Sequence, residues 1–197
     1  MRIGLDIDGV LVDTQTFQLR EGKKFFEKYG MEAKHPDMFE VQDVFECTKE
    51  LREKFWNKNI WKYCLKEPMT KDASKVINKL RQNGHEVIII TSRVHTTETG
   101  ITGVVFRLML KHWVKKNRLK YDDIVFCKEK ESGADKLRVC KEKNIDVMID
   151  DSSENLYAIQ DTCKVICYSA AWNKECHDLD EYRVENFEDV YKIIQRK

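Results

Sequence analysis

Proline is scarce in this sequence: Pro36 and Pro68 are the only two in 197 residues, and there are eight glycines. A chain so poor in breakers leaves little room for long unstructured or low-complexity tracts. An excess of one charge is also missing. The 35 Lys and Arg residues face 34 Asp and Glu, for a formal net charge of +1. A chain built to grip a nucleic-acid backbone carries a basic surplus, so nucleic acid is not an expected partner. No apolar run is long enough to span a bilayer, and Arg2 follows Met1 with no long apolar stretch after it. Neither a membrane span nor a signal peptide is expected. Paired cysteines are lacking as well. The seven are odd in number and scattered, several inside apolar runs. They read as reduced, buried thiols of a cytoplasmic protein, without zinc-type spacing. The five histidines show no metal spacing, and Cys176-His177 has no answering pair.

What is present suits a globular chain with one core or one core plus an insertion: 42% hydrophobic and 35% charged residues. Five short apolar runs read as strands buried on both faces: Ile3–Ile7, Glu86–Thr91, Ile124–Cys127, Asp146–Asp150 and Lys164–Tyr168. Amphipathic stripes between them read as helices. One runs through Ala73, Val76, Ile77 and Leu80 and stops at Asn83-Gly84. Another runs through Phe106, Met109, Leu110, Trp113 and Val114, and a third through Phe187, Val190, Tyr191 and Ile194, with Asn186 as N-cap. Alternating strands and helices predict an α/β fold with a five-stranded parallel sheet. About seventy residues separate the first two strands, far more than a crossover helix needs. Residues 14–68 are therefore expected to form a helical insertion, with the catalytic core at 1–13 and 69–197.

Ligands of open parallel sheets bind at the carboxyl ends of the strands. Those ends read Asp6-Ile7-Asp8-Gly9-Val10, Thr91-Ser92-Arg93 and Asp150-Asp151, with Asp135-Lys136 at a helix start between the third and fourth strands. Clustered carboxylates repel one another, and a hard divalent cation such as Mg2+ relieves that repulsion. A cation, a hydroxyl and a lysine around a carboxylate are what phosphoryl transfer requires.

These segments, in this order, resemble the four signatures of the haloacid dehalogenase (HAD) superfamily. The resemblance covers nearly the whole chain outside the insertion. It implies a Rossmann-like core, with the insertion as a C1-type cap that closes over the substrate. Asp6 is then the nucleophile that becomes an aspartyl-phosphate, and Asp8 the general acid and base. Thr91 and Lys136 bind the phosphoryl group, with Lys128 and Lys130 as rivals for the lysine role. Mg2+ is held by the carboxylates of Asp6 and Asp151 and the carbonyl of Asp8, with Asp150 supporting the shell. Ser92 and Arg93 follow as substrate-binding residues, and Arg93 and Lys128 as groups for a second anion. Implied partners are a small phosphate ester and inorganic phosphate.

Within the superfamily, the helical insertion, Thr91-Ser92 and Ile149-Asp150-Asp151 are similar to the cytosolic 5′(3′)-deoxyribonucleotidases (type C) and their bacterial homologues. Arg93 stands where that branch often has proline. The segment from Thr91 to Val114 is also similar to the phosphatase half of polynucleotide kinase/phosphatase. Alternatives are thus a 3′-phosphatase of nucleic-acid ends, a sugar-phosphate phosphatase, and a phosphate-binding module without turnover. Phe17, Phe25, Trp56 and Trp61 are candidates for stacking on a base, against the reading that they form the insertion's own core. His112 and His177 are expected to be surface or packing residues.

Overall fold

A computed structural model describes residues 1–196 of the chain, the side chain of Asp180 excepted. The strands are β1 (Arg2–Leu5), β2 (Glu86–Thr91), β3 (Asp123–Phe126), β4 (Val147–Asp150), β5 (Lys164–Tyr168) and β6 (Arg183–Val184). They form one parallel sheet in the order β3-β2-β1-β4-β5-β6. The sheet therefore has six strands, not the expected five. The sixth is two residues long, too short to leave a pattern in sequence. It is held by its pairing of Cys167 with Arg183 and of Tyr168 with Val184. The first strand ends at Leu5 rather than Ile7 because the backbone turns there into a loop in which Ile7 O accepts from the N–H groups of Leu11 and Val12.

Alternation along the strands sorts two apolar layers. Ile3, Leu5, Val87, Ile89, Val147 and Ile149 face one cluster, which α4 (Ala73–Gln82), α5 (Gly100–Lys116) and α8 (Phe187–Gln195) cover. Ile88, Ile90, Met148, Val165 and Cys167 face the other, covered by α6 (Ser132–Lys143) and α7 (Ser153–Ile159). Each such aliphatic side chain, removed from water, contributes about 1.5–3 kcal/mol. Asn186 caps α8 as expected, its side chain accepting from the Asp189 N–H at 3.0 Å. All seven cysteines are free thiols. Among the described residues no helix is long and apolar enough to cross a membrane.

Between β1 and β2 lie α1 (Thr14–Phe26), α2 (Val41–Val44) and α3 (Lys49–Lys66). Their core is aromatic. Phe26 stacks on Phe45 at 4.5 Å and on Phe55 at 5.7 Å between ring centroids, and Phe25 meets Phe55 edge-on. The chain enters and leaves this helical segment at one place. Val12 forms an antiparallel bridge with Met69, the Thr70 N–H donates to Leu11 O at 2.8 Å, and Thr70 Oγ1 donates to Val10 O at 2.7 Å.

The strand order fixes where chemistry can sit. The chain proceeds outward from β1 through β2 to β3, then returns to the other side of β1 for β4, β5 and β6. The reversal opens a crevice at the carboxyl ends of β1 and β4. Leu5 and Ile149 are partners there, and the Asp6 N–H donates to Ile149 O at 3.0 Å.

Candidate active site

The loop after β1 is a tight knot around one carbonyl. Ile7 O accepts from the N–H groups of Leu11 and Val12 at 2.8 and 3.0 Å. Gly9 sits in it with φ +79°, and a Cβ at this position would lie 2.1 Å from Asp151 Oδ2. Only glycine lets the loop close against that carboxylate. Gly9→Ala is therefore expected to lose about 2 kcal/mol or more of stability and most turnover, as read by thermal melts and initial rates.

The acids expected to meet do so. Asp6, Asp150 and Asp151 each bring a carboxylate oxygen within 4.8 Å of the others, and all three are buried. Lys136 lies beneath them at 1% exposure, its Nζ 2.6 Å from Asp150 Oδ2 and 3.1 Å from Asp6 Oδ1. The rival lysines, Lys128 and Lys130, are exposed, and Lys128 pairs with Glu131. Burial pushes the Asp6 carboxyl up to about 7 against the pull of Lys136, with Asp150 and Asp8 adding to the rise. Burial, then Asp150 and Asp6, raise Asp151 well above the usual carboxylate range. Burial acts to lower Lys136, but Asp150 and Asp6 outweigh it and hold the ammonium charged.

One buried ammonium thus faces three carboxylates. Asp6 Oδ1 has the shared Lys136 ammonium, 3.1 Å away, as its partner. Asp151 Oδ2 accepts from Trp172 Nε1 at 2.9 Å, and the carbonyl of Asp151 is held by Asn173 Nδ2 at 2.7 Å. Asp150 is more fully engaged, accepting from Lys136, the Ser152 N–H and Asn155. An all-oxygen donor set of three buried carboxylates, with more negative charge than one ammonium balances, fits a hard divalent cation.

The hydroxyls stand on the neighbouring strand. Thr91 ends β2 fully buried, its Oγ1 accepting from the Arg93 N–H at 3.2 Å. Ser92 Oγ lies 2.7 Å from Ser132 Oγ, joining the end of β2 to the first turn of α6. Arg93 does not reach toward solvent. It is 3% exposed, with Nη2 2.9 Å from Asp8 Oδ1 and its guanidinium 4.7 Å from the Tyr63 ring and 5.9 Å from that of Trp113. The hydroxyl of Tyr63 donates to the same Asp8 oxygen at 2.5 Å.

The family model described as 5′ nucleotidase, deoxy (pyrimidine), cytosolic type C, matches residues 1–197. The chain belongs to this nucleotidase family. Among its relatives is a candidate nucleotidase from Bacillus subtilis (strain 168), 26% identical over 195 residues, covering 95% of this chain and 90% of that protein. A second, from Halalkalibacterium halodurans, is 27% identical over 170 residues, covering 82% and 74%. Two solved structures are similar in fold: a predicted phosphatase from Clostridium acetobutylicum (TM-score 0.69, 14% identity, 100% and 98% covered) and a haloacid dehalogenase-like hydrolase from Streptococcus pneumoniae (TM-score 0.66, 14% identity, 98% of each covered). At that identity the likeness shows the fold, and the nucleotidase family membership makes the chain a HAD-type phosphatase.

Several residues around this nucleotidase-family site left no mark in the sequence. Tyr63 reaches Asp8 across 55 positions, Trp172 reaches Asp151 across 21, and Asn173 secures the Asp151 backbone. The named aromatic candidates fall elsewhere. Phe17 and Phe25 are buried among the insertion helices, Trp56 packs on Phe17, Phe55 and Tyr63, and Trp61 lies 52% exposed against Phe106. Phe39, an exposed aromatic of the insertion, meets the ring of Trp172 edge-on at 5.0 Å, and Trp172 in turn donates to Asp151.

Proposed function

We propose that this nucleotidase-family protein hydrolyses phosphate monoesters of small metabolites, nucleoside monophosphates foremost, through an aspartyl-phosphate on Asp6 with Mg2+ as cofactor. The observation that carries this reading is the convergence of Asp6, Asp150 and Asp151 on one point above a buried lysine.

Asp6 attacks phosphorus, and the phosphorus–oxygen bond to the leaving group breaks. Asp8 gives its proton to the departing oxygen, so the alcohol leaves neutral. Asp8, now a carboxylate, takes a proton from water. The resulting hydroxide attacks the aspartyl-phosphate, freeing inorganic phosphate and restoring Asp6 and protonated Asp8. Lys136 holds a fixed positive charge against the nucleophile and the incoming phosphoryl oxygens, while Thr91 and Ser92 supply hydroxyl donors at the end of β2. Asp6, Asp151 and the carbonyl of Asp8, with Asp150 in support, would hold Mg2+, which would neutralise phosphoryl charge. Residues 14–68 act as the cap over the core of 1–13 and 69–197. Phe39 and Trp172 supply an aromatic lip against which a base can stack. The free thiols and the family's cytosolic character favour a cytoplasmic setting.

A substrate panel tests this. With Mg2+, 5′-mononucleotides should be turned over at least tenfold better by kcat/KM than a 3′-phosphorylated oligonucleotide, as the net charge of +1 gives no general grip on a polyanion. Preference for the oligonucleotide, or for sugar phosphates over every nucleotide, removes the nucleotide reading. Failure on all esters leaves a binding module.

A further inference from the structure

Among the described residues, the side-chain grip on Asp8 falls on one oxygen. Tyr63 donates its hydroxyl to Oδ1 at 2.5 Å, and Arg93 Nη2 lies 2.9 Å from the same atom. The Tyr63 hydroxyl has a single proton, and Asp8 receives it. The 2.7 Å contact between Tyr63 and Thr14 Oγ1 must then run the other way, with Thr14 as donor. Thr14 Oγ1 in turn accepts from the Gly9 N–H at 3.0 Å. A directed chain therefore leads from the Gly9 amide through Thr14 and Tyr63 to Asp8. It begins and ends in the loop after β1, and passes through the first residue of α1 and the buried face of α3. Arg93 lies under the Tyr63 ring and holds the hydroxyl over its target.

We propose that Tyr63 is a positioning residue for Asp8. The insertion delivers its hydroxyl to Oδ1, makes that oxygen the permanent acceptor, and so places the transferable proton on Oδ2, turned toward the leaving group. This inference rests on the role given to Asp8 above. Proton donation by Asp8 is thereby tied to the seating of α3: if the helix lifts away, Oδ1 keeps Arg93 alone and the chain from Gly9 through Tyr63 is broken.

Proton donation matters most for poor leaving groups, and kcat/KM reports on the steps through loss of the leaving group. The test compares a nucleoside 5′-monophosphate, whose alcohol needs a proton, with 4-nitrophenyl phosphate, whose phenolate leaves unaided. Tyr63→Phe keeps the ring contacts and removes only the hydroxyl. Its kcat/KM should fall roughly tenfold or more on the nucleotide and about threefold or less on the aryl ester. Thr14→Val should show the same selective fall and Thr14→Ser should restore the rate. A Tyr63→Phe, Thr14→Val double variant should be little worse than Tyr63→Phe alone, because both act through one chain. Equal losses on the two esters, or fully additive losses, overturn the positioning role and leave Tyr63 a packing residue. Inactivity of the unaltered protein on both esters instead overturns the phosphatase reading beneath it.

Discussion

Replacing Asp6 with asparagine should reduce phosphate-ester hydrolysis by roughly 10⁴-fold or more, because the variant lacks the nucleophile rather than one of its helpers. The same substitution should make the metal-free protein more resistant to heat at pH 8. The Asp6 carboxyl is raised to about 7, with burial as the chief cause, so its charge is held at a cost in the folded state. Asparagine removes that charge, while Lys136 keeps its 2.6 Å partner in Asp150. Initial rates and thermal melts on one preparation check both halves. An Asp6→Asn protein that kept most of its activity, or that melted well below the parent at pH 8, would contradict the account of this residue.

The second large effect concerns Mg2+. Chelation should abolish turnover, and restoring Mg2+ should raise the melting temperature more at pH 8 than at pH 5. The sign follows from linkage. A carboxyl whose folded pKa lies above its unfolded value contributes stability that is fully present at low pH, below about 4, and lost as pH rises through the folded value. For Asp6 the window runs from 3.8 to about 7. Asp151 shifts in the same direction. The metal-free protein should lose up to about 1.4 kcal/mol per pH unit for each such group across its window. A cation that favours the charged forms reverses the loss. At 100 times its Kd, Mg2+ should add about 2.7 kcal/mol, or roughly 5–10 °C for a domain of this size. In Asp6→Asn the Mg2+ response should shrink. A melting temperature indifferent to Mg2+ at pH 8 would remove the metal from the scheme.

The acids at the strand ends were legible because each lies in a short contiguous segment, and strand periodicity alone delivers it to one edge of the sheet. Lys136 could be preferred over Lys128 and Lys130 for the same reason, since it lies near the start of a helix, as the residue that follows the first turn of α6. Residues recruited through tertiary packing were not legible. Tyr63 is one aromatic among many in α3, and nothing local marks it as the residue that turns inward to Asp8. Arg93 read as a substrate-binding residue for a second anion, and no local signal showed that it would be buried between two aromatic rings and the Asp8 carboxylate.

The sixth strand shows the same limit. Arg183 and Val184 carry no periodic signal, yet Arg183 Nη1 lies 2.6 Å from Asn173 Oδ1, and Asn173 secures the Asp151 carbonyl. The short edge strand thus braces, through Asn173, the backbone of an acid at the site. In the insertion, Phe17 and Phe25, which the sequence left open between base stacking and a small core, are buried among its helices. Composition had no means of showing that the exposed ring beside Trp172 would be Phe39.

The bridge between Val12 and Met69 has an evolutionary and practical corollary. Two chain ends already side by side can be sutured by a few flexible residues, or fitted with a foreign module of matching stem, without prying the sheet apart. The core therefore offers a socket. Exchanging what is plugged into it is a route to new substrate preferences, as long as the replacement again offers Asp8 the hydroxyl that Tyr63 supplies.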